Sequence, residues 1–357
     1  MPQPITTAKK ILVRVPNWVG DAVLCLPAVE KLGENFPAAE LTVLARPTVA
    51  SLYRRRASVH RVIEFDWRGR HRGLGGWLRL AAELRRERFD LAVLFQNAFH
   101  AALIALLARV PRRVGYARDG RSPLLTQAIA VPRAQEIPPH ETYYYLELLR
   151  RAGWLELLPV VERISLPASA AAGERLREWG LGGDNRLRVV LAPGATYGSA
   201  KCWLPERYAE LADRLVEAYN AAVLLCGTSA EAPLGREIAA RMRTEPISLI
   251  GQTSVEEFLA LLPTADLFIG NDSGAMHLAA GVGLPQVIIF GPTDEAGTGP
   301  LNPRARLVKH PVSCSPCFLR HCPVDHRCMT RISVDEVWQA VEAALGSKLR
   351  STPASRS

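Results

Sequence analysis

The stretch "DLFIGNDSGAMHLAAGVGLPQVIIFGP", from Asp266 to Pro292, carries the clearest fold signal in the sequence. Its first six residues contain the apolar run Leu-Phe-Ile and predict a strand, Ala275–Gly281 has the pattern of a helix, and Gln286–Pro292 predicts a second strand. Such a unit is typical of parallel sheets that are covered by helices. The stretch therefore predicts an α/β fold.

The same alternation of short apolar runs and amphipathic segments continues along the rest of the chain. The candidate strands are 10–15, 41–46, 60–65, 90–95 and 112–117, followed by 188–194, 221–227, 247–250, 266–271 and 286–292. The predicted helices include 22–35, 74–88, 141–153 and 333–349.

The segment from about Pro132 to Gly183 interrupts this alternation with two adjacent prolines, one helix and a glycine-rich run, which is typical of a domain junction. A chain of 357 residues also exceeds the usual size of one hydrophobic core. We therefore predict two doubly wound, Rossmann-like domains that face a central cleft. They cover 1–170 and 171–350, with a cysteine-rich loop at 314–328 and a terminal helix in the second, and 351–357 form a disordered tail.

Positive charge is concentrated in the first half of the chain. The formal net charge is +9, and residues 51–133 alone hold seventeen arginines, no lysine and six acidic residues. This region suits a phosphorylated partner, although a solvated arginine-rich helix face would have the same composition. The chain has neither an apolar signal segment nor a run as long as a membrane span, so we expect a cytoplasmic location and reduced cysteines.

Polar residues follow several predicted strands, at the edge where open parallel sheets bind ligands. Asp21 comes after the first strand and is either the N-cap of the next helix or a general base in the cleft. In the second half, "APGATYGSAKCW" (Ala192–Trp203) places Thr196, Ser199 and Lys201 in a loop suited to a diphosphate. The spacing differs from that of a P-loop, which disfavours ATP hydrolysis of that type.

The predicted helix of the opening stretch would direct its positive N-terminal end towards an anion. Asp272, Ser273 and Gly274 stand at its start, and His277 lies one turn further on, where it is either a packed residue or a catalytic one. Glu231 follows another predicted strand and is either an acid in the first turn of a helix or an acceptor of hydrogen bonds from a ribose.

Six stretches, in this order, resemble the ADP-heptose lipopolysaccharide heptosyltransferase family of Gram-negative bacteria, from about Lys9 to Leu345. They are "PNWVGDAVLCLPA", "QNAFHAAL", "RVGYARDGRSPLL", "APGATYGSAKCW", "GQTSVEEFLALL" and "NDSGAMHLAAGVGLPQVIIFGPT". The combination of the first with the last is specific to the family. The resemblance implies a GT-B fold and a metal-independent enzyme, peripheral at the cytoplasmic face of the inner membrane, that transfers heptose with inversion at the anomeric carbon.

The resemblance, together with the local patterns, assigns the site residues. The catalytic candidates are Asp21, as general base, and Lys201, which stabilises the charge of the leaving group. The candidates for ADP-heptose binding are Thr196, Ser199, Lys201, Glu231, Asp272, Ser273, Gly274 and His277. The candidates for acceptor binding are Asn97, Arg118 and Arg121. Trp203-Leu204-Pro205 stands where many members have Trp-Pro, so the start of the next helix is expected to shift.

The implied reaction moves L-glycero-D-manno-heptose from ADP-heptose onto the first heptose of a phosphorylated, Kdo-bearing lipid A core. We expect a monomer that requires no cofactor and binds no nucleic acid. The alternatives are the heptosyltransferase I reaction, an ADP-heptose transferase with another glycan or a protein as acceptor, a sugar-nucleotide epimerase, and a zinc-bearing nucleic-acid-binding protein.

The loop "CSPCFLRHCPVDHRC" is the remaining cluster of reactive residues. Its four thiols, Cys314, Cys317, Cys322 and Cys328, are candidate ligands of a structural zinc ion. Their spacing is irregular for the common zinc modules, so a disulfide-bearing loop and an unmetallated loop remain alternatives.

Overall fold

A computed structural model describes residues 7–167, 172–181 and 185–346 of the chain. The chain divides into two compact units, the first ending at Ile164 and the second beginning at Ser165. Each unit holds one six-stranded sheet in which all neighbouring strands pair in parallel. The predicted α/β fold with two doubly wound sheets is confirmed, and the boundary falls inside the segment predicted as a junction. The tail predicted at 351–357 lies outside the described residues.

The sheet of the first unit has the strand order β3-β2-β1-β4-β5-β6. Its strands are β1 (Lys10–Arg14), β2 (Glu40–Ala45), β3 (Arg61–Glu64), β4 (Leu91–Leu94), β5 (Arg112–Tyr116) and β6 (Gln127–Ile129). Its helices are α1 (Val19–Leu24), α2 (Leu26–Asn35), α3 (Pro47–Arg54), α4 (Gly73–Glu87), α5 (Phe99–Leu107) and α6 (Glu141–Arg151).

The central strands β1 and β4 are buried along almost their whole length because helices cover both faces of a parallel sheet. Val13 of β1 is paired with Val43 of β2 on one side and with Val93 of β4 on the other. The strand order reverses its direction between β1 and β4. The crevice outside their carboxyl ends is therefore the place where an open sheet of this kind binds ligands.

The single helix predicted at 22–35 is wrong, since two helices, α1 and α2, meet at Cys25. Pro27 causes the break: it occupies the second position of α2, where its missing N–H is tolerated, and it could not continue a helix from α1. Helix α1 begins at Val19 with Trp18 as its N-cap. Asp21 therefore lies within the first turn of α1, and its predicted role as N-cap is wrong.

The sheet of the second unit has the strand order β12-β11-β10-β7-β8-β9. Its strands are β7 (Arg188–Ala192), β8 (Ala222–Leu225), β9 (Ile247–Ser248), β10 (Leu267–Asn271), β11 (Gln286–Phe290) and β12 (Ala305–Lys309). Its helices are α7 (Ala172–Glu178), α8 (Pro205–Tyr219), α9 (Ala232–Arg241), α10 (Val255–Leu261), α11 (Gly274–Gly281), α12 (Glu295–Thr298), α13 (Arg327–Thr330) and α14 (Val334–Leu345).

Two strands, β6 and β12, were not predicted, and both lie at the edge of a sheet. Strand β12 is largely accessible to solvent, so it lacks the continuous apolar run that marks a central strand. The opening stretch of the sequence forms β10, α11 and β11 as predicted, and β10 and β11 are neighbouring inner strands of the second sheet. In the part of the chain that the structure describes, no helix is both long and apolar enough to cross a membrane.

Candidate active site

An ion pair lies at the carboxyl edge of the second sheet. Lys201, in the 3-10 turn after β7, donates a hydrogen bond from Nζ to Oδ2 of Asp272, 2.6 Å away, at the end of β10. The side chain of Asp272 is 5 % exposed and that of Lys201 12 % exposed. Two predicted donor-binding residues that are distant in the sequence are thus brought together. The ammonium is held beside the N-terminus of α11.

Two hydroxyls complete the surroundings of the Asp272 carboxylate. Thr293 Oγ1 donates to Asp272 Oδ2 over 2.6 Å, and Thr298 Oγ1 lies 3.5 Å from the same oxygen. Both threonines follow β11, so they reach the same edge of the sheet as Asp272. The carboxylate is therefore held by three donors, which fixes the position of Lys201 in turn.

The loop that carries Lys201 is anchored by Asn271. Its Oδ1 accepts hydrogen bonds from the Trp203 N–H, 3.2 Å away, and from the Tyr208 hydroxyl, 3.0 Å away. Its Nδ2 donates to the Pro193 carbonyl over 2.6 Å. One buried amide thus ties the ends of β7 and β10 to the start of α8, which begins at Pro205.

The N-terminus of α11 is the predicted anion site. Ser273 is its N-cap, but its side chain makes no capping hydrogen bond, and its buried Oγ has no hydrogen-bond partner among the described residues. Gly274 is the first residue of the helix. His277 is only 5 % exposed, so its ring is packed inside the unit. The uncommitted Ser273 hydroxyl and the first N–H groups of α11 offer hydrogen bonds to an anion.

Glu231 lies between the ends of β7 and β8. Its carboxylate accepts hydrogen bonds from the Thr228 N–H over 2.6 Å and from Thr228 Oγ1 over 2.9 Å, which forms a capping box. Its side chain also lies beside Gly194 and Gly227, within 2.8 Å of the place that a Cβ at either position would occupy. Glu231 is therefore both an acid in a helical turn and a carboxylate at the ligand-binding edge.

The cysteine-rich loop contacts the loop at 195–201 directly. The Ala200 N–H donates to the Arg320 carbonyl over 3.0 Å, and Ser199 Oγ lies 3.0 Å from His321 Nδ1. His326 Nε2 lies 2.8 Å from the Ala200 carbonyl. Ser199, predicted to bind the donor, thus has a partner in the cysteine-rich loop, whereas Thr196 is exposed. The cysteine-rich loop positions the predicted phosphate-binding loop.

The four candidate zinc ligands are free thiols, of which Cys314, Cys317 and Cys322 are exposed and Cys328 is buried. Over 7–167, 172–181 and 185–346, no group of three or more histidine, cysteine or acidic side chains is arranged to hold a metal ion. The residues of this loop, as they lie in the structure, do not fit a tetrahedral zinc site.

In the first unit, Asp21 shares its surroundings with a second acid. Burial, and next the negative charge of Asp21, raise the pKa of Glu141 to about 7, and the charge of Arg118 opposes this shift. Glu141 is the first residue of α6, which packs against α1. A carboxyl group that is half-protonated near neutral pH therefore lies beside the predicted general base.

The three predicted acceptor residues occupy different environments. Arg118 is half-exposed, and its hydrogen bond to Tyr144 raises its pKa. Asn97 donates from Nδ2 to the Tyr144 hydroxyl over 2.9 Å and accepts at Oδ1 from Arg121, 3.1 Å away.

Arg121 itself is fully buried and also donates to the carbonyls of Leu94, Gln96 and Tyr116. It lacks the exposure that a direct contact with an acceptor requires. In the structure its guanidinium binds carbonyls around the ends of β4 and β5 and orients Asn97.

A pocket of about 540 Å³ opens beside the carboxyl ends of β2, β3 and β4. The Arg46 guanidinium lies over the Trp67 ring at 4.3 Å, and Trp77 stacks on His100 with ring centroids 5.4 Å apart. Arg46 Nε and His100 Nε2 are buried and have no hydrogen-bond partner among the described residues. Burial and the charges of Arg14 and Arg46 lower the pKa of His100 to about 4, so the positive charge of the pocket comes from its arginines.

Sequence reasoning missed several of these residues. Thr293 could have been found, because it directly follows a predicted strand. Glu141 gave no such signal, since only the packing of α6 against α1 brings it near Asp21. Trp67 and His100 belong to the arginine-rich region at 51–133 and Arg46 precedes it, and composition alone does not show which of these side chains enclose a pocket.

Two Rossmann-like units, with a cationic site at the carboxyl edge of the second sheet, are typical of glycosyltransferases of the GT-B type. The sequence pattern described as glycosyltransferase family 9 (heptosyltransferase) matches residues 77–327. The chain belongs to this family and is a glycosyltransferase, which confirms the resemblance and the enzyme class inferred from the sequence.

The chain is 30% identical over 310 residues to lipopolysaccharide heptosyltransferase 2 of Salmonella typhimurium, covering 84% of this chain and 88% of the relative. The protein of the same name from Escherichia coli is 29% identical over the same shares. The solved structure of E. coli ADP-heptose lps heptosyltransferase II has a TM-score of 0.81 and 28% identity, and the match covers 95% of this chain and 99% of that one. A family 9 glycosyltransferase from Veillonella parvula, at 20% identity and a TM-score of 0.83, shares the fold.

Proposed function

We propose that this enzyme transfers L-glycero-D-manno-heptose from ADP-heptose onto the first heptose of the lipopolysaccharide inner core, with inversion at the anomeric carbon. The observation that carries the proposal is the Lys201–Asp272 pair beside the uncommitted start of α11. The likeness to relatives named lipopolysaccharide heptosyltransferase 2 supports lipopolysaccharide as the acceptor, and the likeness to the E. coli ADP-heptose lps heptosyltransferase II supports ADP-heptose as the donor.

The donor site is built for a diphosphate. The Lys201 ammonium and the hydrogen-bond donors of Ser273 and the following helix N-terminus converge at one edge of the sheet. Negative charge grows on the diphosphate as the bond to the sugar breaks, so these groups stabilise the transition state more than the ground state. Asp272 and Thr293 hold the ammonium in place before the donor arrives. In this proposal Glu231 receives the ribose hydroxyls, and no divalent cation is required.

The acceptor reacts at the first unit. Asp21 takes the proton of the attacking heptose hydroxyl, the hydroxyl oxygen bonds to the anomeric carbon, and ADP leaves with the electron pair of the broken bond. A single displacement of this kind inverts the anomeric configuration. Because Glu141 is partly protonated near neutral pH, Asp21 carries the negative charge of the two acids.

The pocket formed by Arg46, Trp67 and His100 takes an acidic group of the acceptor in this proposal. A carboxylate or phosphate would satisfy the buried Arg46 Nε, and the aromatic walls would exclude water from the contact. Arg118 and Asn97 line the neighbouring strand ends, while Arg121 acts by positioning Asn97. We also propose that the enzyme acts as a monomer at the cytoplasmic face of the inner membrane.

The test is incubation of the purified protein with ADP-heptose and heptosyl-Kdo2-lipid A, in the presence of a chelator, followed by mass spectrometry. Addition of one heptose is the expected result, and NMR of the new anomeric centre should show inversion. The matched control is Kdo2-lipid A without heptose. Transfer to this control alone would instead assign the heptosyltransferase I reaction, and release of free sugar without transfer to either acceptor would contradict both.

A further inference from the structure

The outer face of α4 and α5 in the first unit exposes four leucines. Leu74 and Leu78 lie one helical turn apart on α4, 72 % and 58 % exposed. Leu106 and Leu107, at the end of α5, are 37 % and 38 % exposed. The buried face of α4 consists of other residues, including Leu80 and Leu84, so the exposed leucines are not needed to hold the helix on the sheet.

A groove of about 890 Å³ runs between the two helices and continues this face. Its walls include Leu78 and Leu107 together with four arginines, and no acidic residue lines it; the arginines are Arg85, Arg86, Arg88 and Arg109. We call these four arginines, together with the exposed leucines Leu74, Leu78, Leu106 and Leu107, the α4–α5 surface.

The acidic residues of α4 do not neutralise this surface. Glu83 pairs with Arg70, and Glu87 pairs with Arg61 at 2.9 Å. Within the described part of the chain, none of the four arginines of the α4–α5 surface forms an ion pair with a carboxylate. They are therefore available to an external anion.

Two of these arginines stand where the backbone favours glycine. Arg88 (φ 57°) ends α4 and Arg109 (φ 58°) follows α5, both in the left-handed conformation. Glycine at either position would relieve the strain of the left-handed backbone conformation, but it would remove a charged side chain from the rim of the groove.

We propose that the α4–α5 surface docks the protein on an anionic phospholipid bilayer, with the arginines on headgroup phosphates and the leucines in the interface. Exposed leucines flanked by unpaired arginines match a bilayer interface, in which an apolar layer lies beneath a layer of negative charge. A nucleic acid would contact the arginines but leave the leucines exposed to water. An acidic protein would have to exclude water from the whole groove.

The position of the surface agrees with such a role. Helix α4 is fifteen residues long, or about 22 Å. Gly73 and Trp77, near its start, line the pocket that we assign to the acceptor, while its last turn lies in the groove. Docking along α4 would thus bring that pocket to the plane of the headgroups. This inference rests on the proposed function only for the lipid-linked nature of the acceptor.

The test is sedimentation of the full-length protein with vesicles of phosphatidylcholine that contain or lack phosphatidylglycerol. We expect the protein to bind only to the anionic vesicles. In the Arg85→Glu/Arg86→Glu variant this binding should weaken by at least about tenfold. Leu78→Ser should weaken binding several-fold while leaving its salt dependence unchanged. The first control is Arg304→Glu/Arg306→Glu in the second unit. The second is Leu157→Ser, which replaces a leucine of the first unit that is 82 % exposed. Both variants should bind the anionic vesicles as the original protein does.

Equal binding of the Arg85→Glu/Arg86→Glu variant and the original protein, or equal binding to neutral vesicles, would overturn the docking surface. Transfer of heptose to a soluble acceptor that lacks the lipid, measured on the same variants, separates this inference from the proposed function. That transfer should be unchanged in the variants. If the original protein transferred no heptose to the soluble acceptor, the proposed function would be contradicted. The vesicle experiment alone would then test the docking surface.

Discussion

Lys201 and Asp272 stand 71 positions apart in the chain and meet in a hydrogen-bonded ion pair of 2.6 Å between Nζ and Oδ2. The pair belongs to the same edge of the second sheet as Thr293 and the first turn of α11. Lys201 therefore has a carboxylate partner within the protein, and under the proposed function it also binds the diphosphate of the donor.

Lys201→Ala should lower both stability and donor affinity. Removing one partner of a buried ion pair leaves the other charge uncompensated, at a cost of about 3 kcal/mol. We expect ADP binding, measured by calorimetry, to weaken by at least about tenfold. In Lys201→Met/Asp272→Asn both charges are gone, so most of the stability should return while ADP affinity stays low. Wild-type ADP affinity in Lys201→Ala would remove Lys201 from the donor site.

Asp21→Asn should reduce kcat by about 10² to 10⁴-fold, because an amide cannot accept the acceptor proton. The KM for ADP-heptose should change little, since Asp21 belongs to the other unit. Circular dichroism should show an unchanged fold. Glu34→Gln, an exposed acid of the same unit paired with Lys31, is the control and should keep full activity. Turnover near the original rate in Asp21→Asn would exclude Asp21 as the base.

Glu141 should make stability depend on pH. Its pKa is raised from 4.5 to about 7 in the folded protein, so ionisation is disfavoured there, and the stability present below about pH 4.5 is lost as pH rises through 7. Glu141→Gln cannot ionise and should be more stable than the original protein at about pH 8, by an amount on the order of 2 kcal/mol. Urea unfolding across this range measures the difference. If the free energy of unfolding depended on pH in the same way in both proteins, the assigned pKa of Glu141 would be contradicted.

Arg46→Ala should raise the KM for the anionic acceptor by about tenfold or more, because a charged hydrogen bond to the acceptor is lost. The KM for ADP-heptose should stay the same. Activity of the original protein on the acceptor should fall with rising salt, and the variant should show a shallower dependence. Arg54→Ala removes an exposed arginine that pairs with Glu64 and serves as control. An equal rise in both KM values would indicate a general loss of structure instead.

The thiols should fall into reactivity classes. Cys314, Cys317 and Cys322 are exposed and should react rapidly with a chromogenic disulfide under native conditions at about pH 8. Burial raises the pKa of Cys226 to about 12 and that of Cys328 to about 11, so these thiols should react slowly. All seven should react after denaturation. Slow reaction of the three exposed thiols together with bound zinc in metal analysis would show that the loop adopts a metal-bound arrangement instead.

Much of the fold could be predicted from short stretches. The opening stretch Asp266–Pro292 became a strand, a helix and a strand as expected, because apolar periodicity and glycine placement act between near neighbours. Predictions failed where a single residue outweighed the pattern, as Pro27 did within 22–35. They also failed at sheet edges, where β6 and β12 lack a continuous apolar run.

By itself the sequence determined the fold class and placed Asp21, Lys201 and Ser273 after predicted strands, because each of these features depends on residues close together in the chain. Only the tertiary structure decided that Lys201 pairs with Asp272, that Glu141 lies beside Asp21, and that the cysteine-rich loop contacts Ser199. Each of these relationships joins distant parts of the chain. Their energies arise from burial and from charges brought close by packing, which no local pattern contains.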